Sequence, residues 1–177
     1  KWITNPLKFQ AETFNKLLKK ANNTEFGKDH NFSSIKNYKD FQNQVPIRDY
    51  EALKPYVDRV VAGEKNILWP GQPLYFAKTS GTTSGAKYIP ITKESIRTHI
   101  NSARDALLNY FLKTKNYSPI NGKHMFLQGS PKLDKKNGVF IGRLSGISAH
   151  YIPKLFLNNR KPSWNTNCIE DWEKKVD

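Results

Sequence analysis

An α/β fold is predicted by three observations: apolar residues recur at helical spacing over residues 6–22, short β-rich stretches begin after the break Trp69-Pro70-Gly71-Gln72-Pro73, and a long amphipathic segment follows Thr92. The chain has 177 residues, and a single folded unit of that size buries roughly 70% of its unfolded surface. Hydrophobic residues make up 37% and aromatic ones 12%, which excludes a disordered tail. No apolar run reaches bilayer length, and the opening Lys1-Trp2-Ile3-Thr4-Asn5-Pro6 lacks the apolar centre of a secretion signal. A cytoplasmic protein without a membrane partner is the expectation.

Asn5 and Pro6 form an N-cap and first-turn pair, and Leu7, Ala11, Phe14, Leu18 and Ala21 then lie at helical spacing, so a first helix is expected to about Asn22. A short second helix is expected over residues 37–43. Asp49 caps a turn before Pro55, whose fixed φ suits the first position of a helix running to Gly63 with Tyr56, Val57, Val60 and Val61 as its apolar stripe. Residues 74–77 and 88–91 read as strands. Thr92 caps a long helix with Ile96, Ile100, Ala103, Leu107 and Tyr110 on one buried face. Beyond it, residues 124–127 and 139–141 read as short strands separated by polar loops, and Trp172 sits on a terminal helical segment.

Lys and Arg number 29 against 15 acidic residues, a net charge of +14. Such an excess attracts nucleotides, nucleic acid or an acidic membrane surface. The lysines are scattered and accompany no RNA-reading aromatic motif, so a basic nucleic-acid-binding module is kept only as the alternative function. The single cysteine, Cys168, has no partner for an internal disulfide and reads as a structural thiol. His30, His99, His124 and His150 show neither metal-ligand spacing nor a nucleophile constellation, so no metal ligand is expected in the chain. The chain opens on Lys rather than Met and its last segment, residues 169–177, has no terminal cap; it is expected to be a piece of a longer protein.

Chemistry is concentrated between the two strands at 74–77 and 88–91. There Lys78-Thr79-Ser80-Gly81-Thr82-Thr83-Ser84-Gly85-Ala86-Lys87 packs five hydroxyl residues, two glycines and a closing lysine into one loop. Small residues let backbone approach an anion, N–H and hydroxyl groups donate to phosphate oxygens, and lysine adds a mobile positive charge. The segment fails the Walker A pattern: Gly81 and Gly85 are too close, Ala86 precedes Lys87, and Tyr88 stands where a magnesium-binding hydroxyl belongs. A Walker loop also opens directly into a helix. Here a short strand containing Pro90 comes first, so a hairpin is expected.

The run Thr79 to Lys87 resembles the phosphate loop of the acyl-adenylate-forming superfamily, with its Ser-Gly-Thr core and trailing Lys. Tyr88-Ile89-Pro90-Ile91-Thr92 together with Gln44-Val45-Pro46-Ile47, Tyr50-Glu51, Lys54-Pro55-Tyr56 and Gly63-Glu64-Lys65-Asn66-Ile67-Leu68-Trp69-Pro70-Gly71 is similar to the GH3 family of acyl-acid amido synthetases. The likeness covers roughly residues 40–100. One departure is Ser84-Gly85-Ala86-Lys87, where the superfamily has Gly-x-Pro-Lys.

The resemblance implies the amino-terminal portion of an adenylating, firefly-luciferase-like large domain, occupied by the whole chain as a single partial domain. In that layout residues 1–70 are mainly helical, 74–92 form strand, phosphate loop and strand, and 93–177 are α/β. It implies a ligase in which an acyl acid's carboxylate attacks the α-phosphate of ATP, releasing pyrophosphate, after which an amine or amino acid displaces AMP from acyl-AMP. ATP and Mg²⁺ are the implied cofactors. Ser80, Thr82, Thr83 and Ser84 would donate to phosphate, Gly81 and Gly85 would permit the backbone path, and Lys87 would either reach the phosphates or anchor the exit strand. Arg104, on the helix that borders the acyl pocket in relatives, is a candidate for the acid's carboxylate, against the ordinary reading of a solvated helix arginine. No catalytic base is identifiable. Adenine, ribose and hinge elements are expected outside these residues, so the chain alone is expected to be inactive.

Overall fold

The computed structural model describes residues 3–79 and 86–176. It divides into two compact units, Lys1–Gln72 and Pro73–Asp177, each with its own core.

The first unit is helical. Helix α1 (Pro6–Ala21) begins as its Asn-Pro signal requires, with Asn5 Oδ1 accepting the Lys8 N–H at 3.3 Å, and it ends on Lys19 and Lys20, whose charges complement the carbonyl end of the helix. Helix α2 (Glu25–Asp29) is too short to hold by propensity. Its start is fixed from outside: the Glu25 and Phe26 amides donate to the carbonyls of Asn66 and Ile67 at 2.9 and 3.0 Å. Thr24, 1% exposed, accepts the Gly27 N–H at 3.0 Å and donates its hydroxyl to the Ala21 carbonyl at 2.7 Å. A Cβ on Gly27 would lie 2.1 Å from that same carbonyl oxygen, so only glycine fits.

A 3-10 turn (Phe32–Ser34) leads to α3 (Tyr38–Gln44), capped by Asn37, and α4 (Tyr50–Val61), capped by Asp49. Pro55 therefore does not open the helix as its sequence context suggested. It lies inside α4, because Asp49 Oδ1 accepts the Ala52 N–H at 2.9 Å and starts the helix a full turn earlier. Val57, Val60 and Val61 are buried and Tyr56 is half-buried. Leu18, Ala21, Phe32 and Ile35 form a core cluster against which Phe14, Phe26, Phe41, Val45 and Trp69 pack. The run 63–71 is a closed turn: Asn66, at φ +59°, exchanges bonds with Gly71 through both its amide and its Oδ1, which leaves Ile67 2% exposed.

The second unit holds β1 (Tyr75–Lys78), β2 (Tyr88–Ile91), α5 (Lys93–Thr114), β3 (His124–Met125), β4 (Asp134–Lys136), β5 (Val139–Gly142), α6 (Leu144–Ala149), α7 (Lys154–Leu157), β6 (Arg160–Lys161), α8 (Trp164–Asn167) and α9 (Trp172–Val176). Its main sheet has the order β2-β1-β5-β4, with β1 and β5 parallel and the outer pairs antiparallel; β3 and β6 form a separate parallel pair. The polar stretch before β5 is a hairpin arm rather than a loop. Asn137 and Gly138, at φ +48° and +83°, make the left-handed two-residue turn that joins β4 to β5.

Thr92 caps α5 through a capping box in which the Ser95 N–H donates to Thr92 Oγ1 at 3.1 Å and the Thr92 N–H donates to Ser95 Oγ at 2.8 Å. The expected five-residue buried face is only partly realised. Ile96 is 3% exposed and packs with Ala77 and Ile147, Ile100 and Leu107 are half-buried, and Ala103 and Tyr110 are exposed. Length explains this. A helix of this span is about 33 Å long, whereas four-residue strands extend only about 13 Å, so the later turns run past the sheet. There Phe111 packs against Tyr117, its ring centroid 5.7 Å away.

Candidate functional site

Strands β1 and β2 flank the Ser/Thr/Gly segment in antiparallel register, Tyr75 opposite Ile91 and Lys78 opposite Tyr88. One further bond continues the ladder, from the Thr79 amide to the Lys87 carbonyl at 3.0 Å. The two ends of the segment are thus tied together. Residues 80–85, which include Ser80, Gly81, Thr82, Thr83, Ser84 and Gly85, lie outside the described residues. Lys87 is half-buried and stands one residue before β2. Pro90 is tolerated because β2, among the described residues, is an edge strand paired with β1 alone.

The two strands are anchored by buried packing and a side-chain hydrogen bond. Phe76 is fully buried and meets the Tyr88 ring edge-on at 6.0 Å, and Ala77 belongs to the cluster with Ile96 and Ile147. Tyr75 accepts a hydrogen bond from the Tyr151 hydroxyl at 3.0 Å. Burial, then the bond to Tyr75, pushes the Tyr151 phenol up to about 12. A pKa raised in the folded state contributes stability that is complete below the unfolded value near 10 and is lost as pH rises through the folded one. Wild type should therefore lose stability between pH 10 and about 12 by an amount that Tyr151→Phe does not show. Chemical denaturation of both proteins across that range checks it; parallel curves would mean that the Tyr151 hydroxyl is not buried as described.

Strands β1 and β5 are parallel with Ala77 opposite Gly142, so both strands end at the same edge of the sheet. In α/β sheets this carboxyl edge is where ligands collect. The 79–87 segment leaves β1 there, and the exposed Arg143, N-cap residue of α6, leaves β5 there. Sequence reasoning did not single out Arg143. Its signal was a basic residue directly after a short apolar strand.

Arg104 lies on α5 with its side chain 61% exposed, and its Nε and Nη2 donate to Asp105 Oδ1 at 3.1 and 2.9 Å. The structure does not bring it together with the 79–87 segment by any described contact. His30 is buried, stacked on Phe26 and bonded through Nδ1 to the Phe26 carbonyl at 2.7 Å; His150 Nε2 bonds to the Pro131 carbonyl at 2.8 Å. Cys168 is a half-buried free thiol. Among the described residues no group of three His, Cys, Asp or Glu side chains could hold a metal, and no helix is long and apolar enough to cross a membrane.

A model of the GH3 family N-terminal domain matches residues 1–175. The chain belongs to the GH3 family. It is 26% identical over 138 residues to jasmonoyl-L-amino acid synthetase JAR4 of Nicotiana attenuata, covering 76% of this chain and 23% of that protein. It is 30% identical over 180 residues to indole-3-acetic acid-amido synthetase GH3.10 of Arabidopsis thaliana, covering 93% of this chain and 29% of that protein. Two solved structures share the fold: GH3.15 acyl acid amido synthetase, at 23% identity and a TM-score of 0.71 over 87% of this chain and 28% of that one, and AtGH3.15 in complex with 2,4-DB, at 22% identity and a TM-score of 0.69 over 92% and 29%. This GH3 chain therefore spans about a quarter of the length of the relatives it matches.

Proposed function

We propose that these residues are the amino-terminal part of an ATP-dependent GH3 acyl-acid amido synthetase that adenylates a carboxylic acid and passes the acyl group to an amine or amino acid. The observation that carries the reading is a hydroxyl- and glycine-rich segment whose ends are held by the Thr79 to Lys87 bond at the carboxyl edge of the sheet, in a chain of the GH3 family. Relatives named as a jasmonoyl-L-amino acid synthetase and an indole-3-acetic acid-amido synthetase support the reaction class.

Adenylation places negative charge on phosphate oxygens in its transition state, and pre-positioned donors lower the barrier without reorganising. The donor set fits a polyphosphate. Ser80, Thr82, Thr83 and Ser84 offer hydroxyls, Gly81 and Gly85 offer amides on a path without Cβ atoms, and Lys87 follows at the exit strand. Mg²⁺ would arrive with the phosphates and share their charge. Lys87 either reaches the phosphates or holds β2 in place, and Arg104 is retained as a candidate for the acyl carboxylate once freed from Asp105. The protein acts in the cytoplasm on this reading. GH3 membership favours it over a basic nucleic-acid-binding module.

The test is acyl-acid-dependent pyrophosphate release from ATP. A synthetase carrying residues 1–177 should turn over, and the 177-residue chain alone should be silent, because reactants must be fixed together before electrostatic stabilisation acts. Turnover by the chain alone would place a complete site within it.

A further inference from the structure

Arg160 is the most unusual charged residue among those described. It is 6% exposed, on β6, yet its Nε and Nη2 have no acceptor among the described residues. Burial holds its guanidinium below the ordinary arginine range. These two nitrogens are not a random pair, for Nε–H and Nη2–H point the same way and form the side-on fork of the guanidinium, the edge that takes a carboxylate through two parallel bonds. Two exposed arginines of this chain use that very edge: Arg59 donates from Nε and Nη2 to Glu64 Oε2 at 3.0 and 2.8 Å, and Arg104 does the same to Asp105. Arg160 presents the edge in a buried setting, where a charged donor without an acceptor is costly and an ion pair is strong.

A second unpartnered nitrogen stands beside it. His124 is the register partner of Arg160 in the parallel β3–β6 pair, and paired residues of a ladder project from the same face. His124 Nε2 is also buried with no partner among the described residues. The half-buried His124 ring meets Phe156 edge-on at 5.5 Å and lies parallel to Phe126 at 6.4 Å, so aromatic rings border it on two sides. The strands around these two side chains are two residues long and α7 four, and elements that short open at low cost.

We propose that Arg160 and His124 form a binding site for a carboxylate, separate from the phosphate-binding segment. The carboxylate comes from a free small acid or from an Asp or Glu side chain of a polypeptide; the chemistry recognised is the same.

The Nε–Hε resonance of Arg160 in the whole 177-residue chain, assigned by through-bond correlation, reads the site directly. Acetate is titrated at constant ionic strength with chloride as the compensating ion, and a short peptide with one Glu between apolar residues is titrated in parallel. A saturable downfield shift of the Arg160 proton with acetate or peptide, absent with chloride, is expected, while the Arg59 and Arg104 protons stay in place. Saturation by the peptide at lower concentration than acetate assigns a polypeptide source; equal or tighter saturation by acetate assigns a free acid. Arg160→Lys, read through the backbone amides of His124 and Lys161 in the same strand pair, should weaken binding by about tenfold or more, since ammonium cannot make the two-pronged contact. His124→Phe, which keeps the aromatic packing, should weaken it to a smaller degree. An Arg160 resonance that responds to neither probe, or responds equally to chloride, overturns the proposal and leaves the fork to buried water.

Discussion

Replacing Ser80, Thr82 and Thr83 together by Ala in a synthetase that carries this chain should abolish acyl-acid-dependent pyrophosphate release while leaving the melting temperature almost unchanged. Each hydroxyl is assigned a hydrogen bond to a charged phosphate oxygen, a bond whose loss costs about 1.5 to 3 kcal/mol. Three such losses, even if only partly additive, amount to a rate decrease of several powers of ten. Stability should hold because small polar side chains bury little apolar area. The separation of rate from stability is the informative part. A triple variant with wild-type turnover would remove the phosphate assignment, and one that simply melts would show that the segment is structural.

Ile96→Asp should unfold the second unit. Ile96 is 3% exposed and joins Ala77 of β1 to Ile147 of α6, which is itself fully buried. An unpaired carboxylate there costs several kcal/mol, comparable to the whole stability of a small domain, roughly 5–15 kcal/mol. Ile100→Asp should be milder, since Ile100 lies at the half-buried rim of the same cluster. Circular dichroism melts of the two variants provide the comparison. Equal, near-native melting of both would mean that the first turns of α5 do not cover the sheet.

How much was legible in the sequence follows from where each element gets its support. α1 and the start of α5 were readable because their caps are local: Asn5-Pro6 and Thr92 carry the instruction next to the helix they start. Helix α2 was not readable. Its first amides bond to Asn66 and Ile67, residues far along the chain, and five residues offer no periodicity to detect. Pro55 misled because a proline is easiest to read as a helix start, whereas the Asp49 cap decides where α4 begins. The β4–β5 hairpin had a signal, Asn137-Gly138, but its first arm, Asp134-Lys135-Lys136, has no apolar residue and passed for a loop.

For the site, composition alone drew attention to residues 79–87, since five hydroxyls and two glycines serve an anion better than a core. What composition could not give is neighbourhood. The parallel pairing of β1 with β5, which brings Arg143 to the same edge, is a long-range contact that no local pattern encodes. The Arg160 fork was equally hidden, because a lone arginine in a polar stretch reads as surface until its burial is seen.

The central claim, that residues 80–85 hold the phosphates of ATP, is tested most directly by the structure of a synthetase carrying these residues with ATP and Mg²⁺ bound. The account predicts phosphate oxygens within about 3 Å of hydroxyls and amides of residues 80–85. A triphosphate bound by other segments, with residues 80–85 beyond hydrogen-bond reach of every phosphate oxygen, would contradict it.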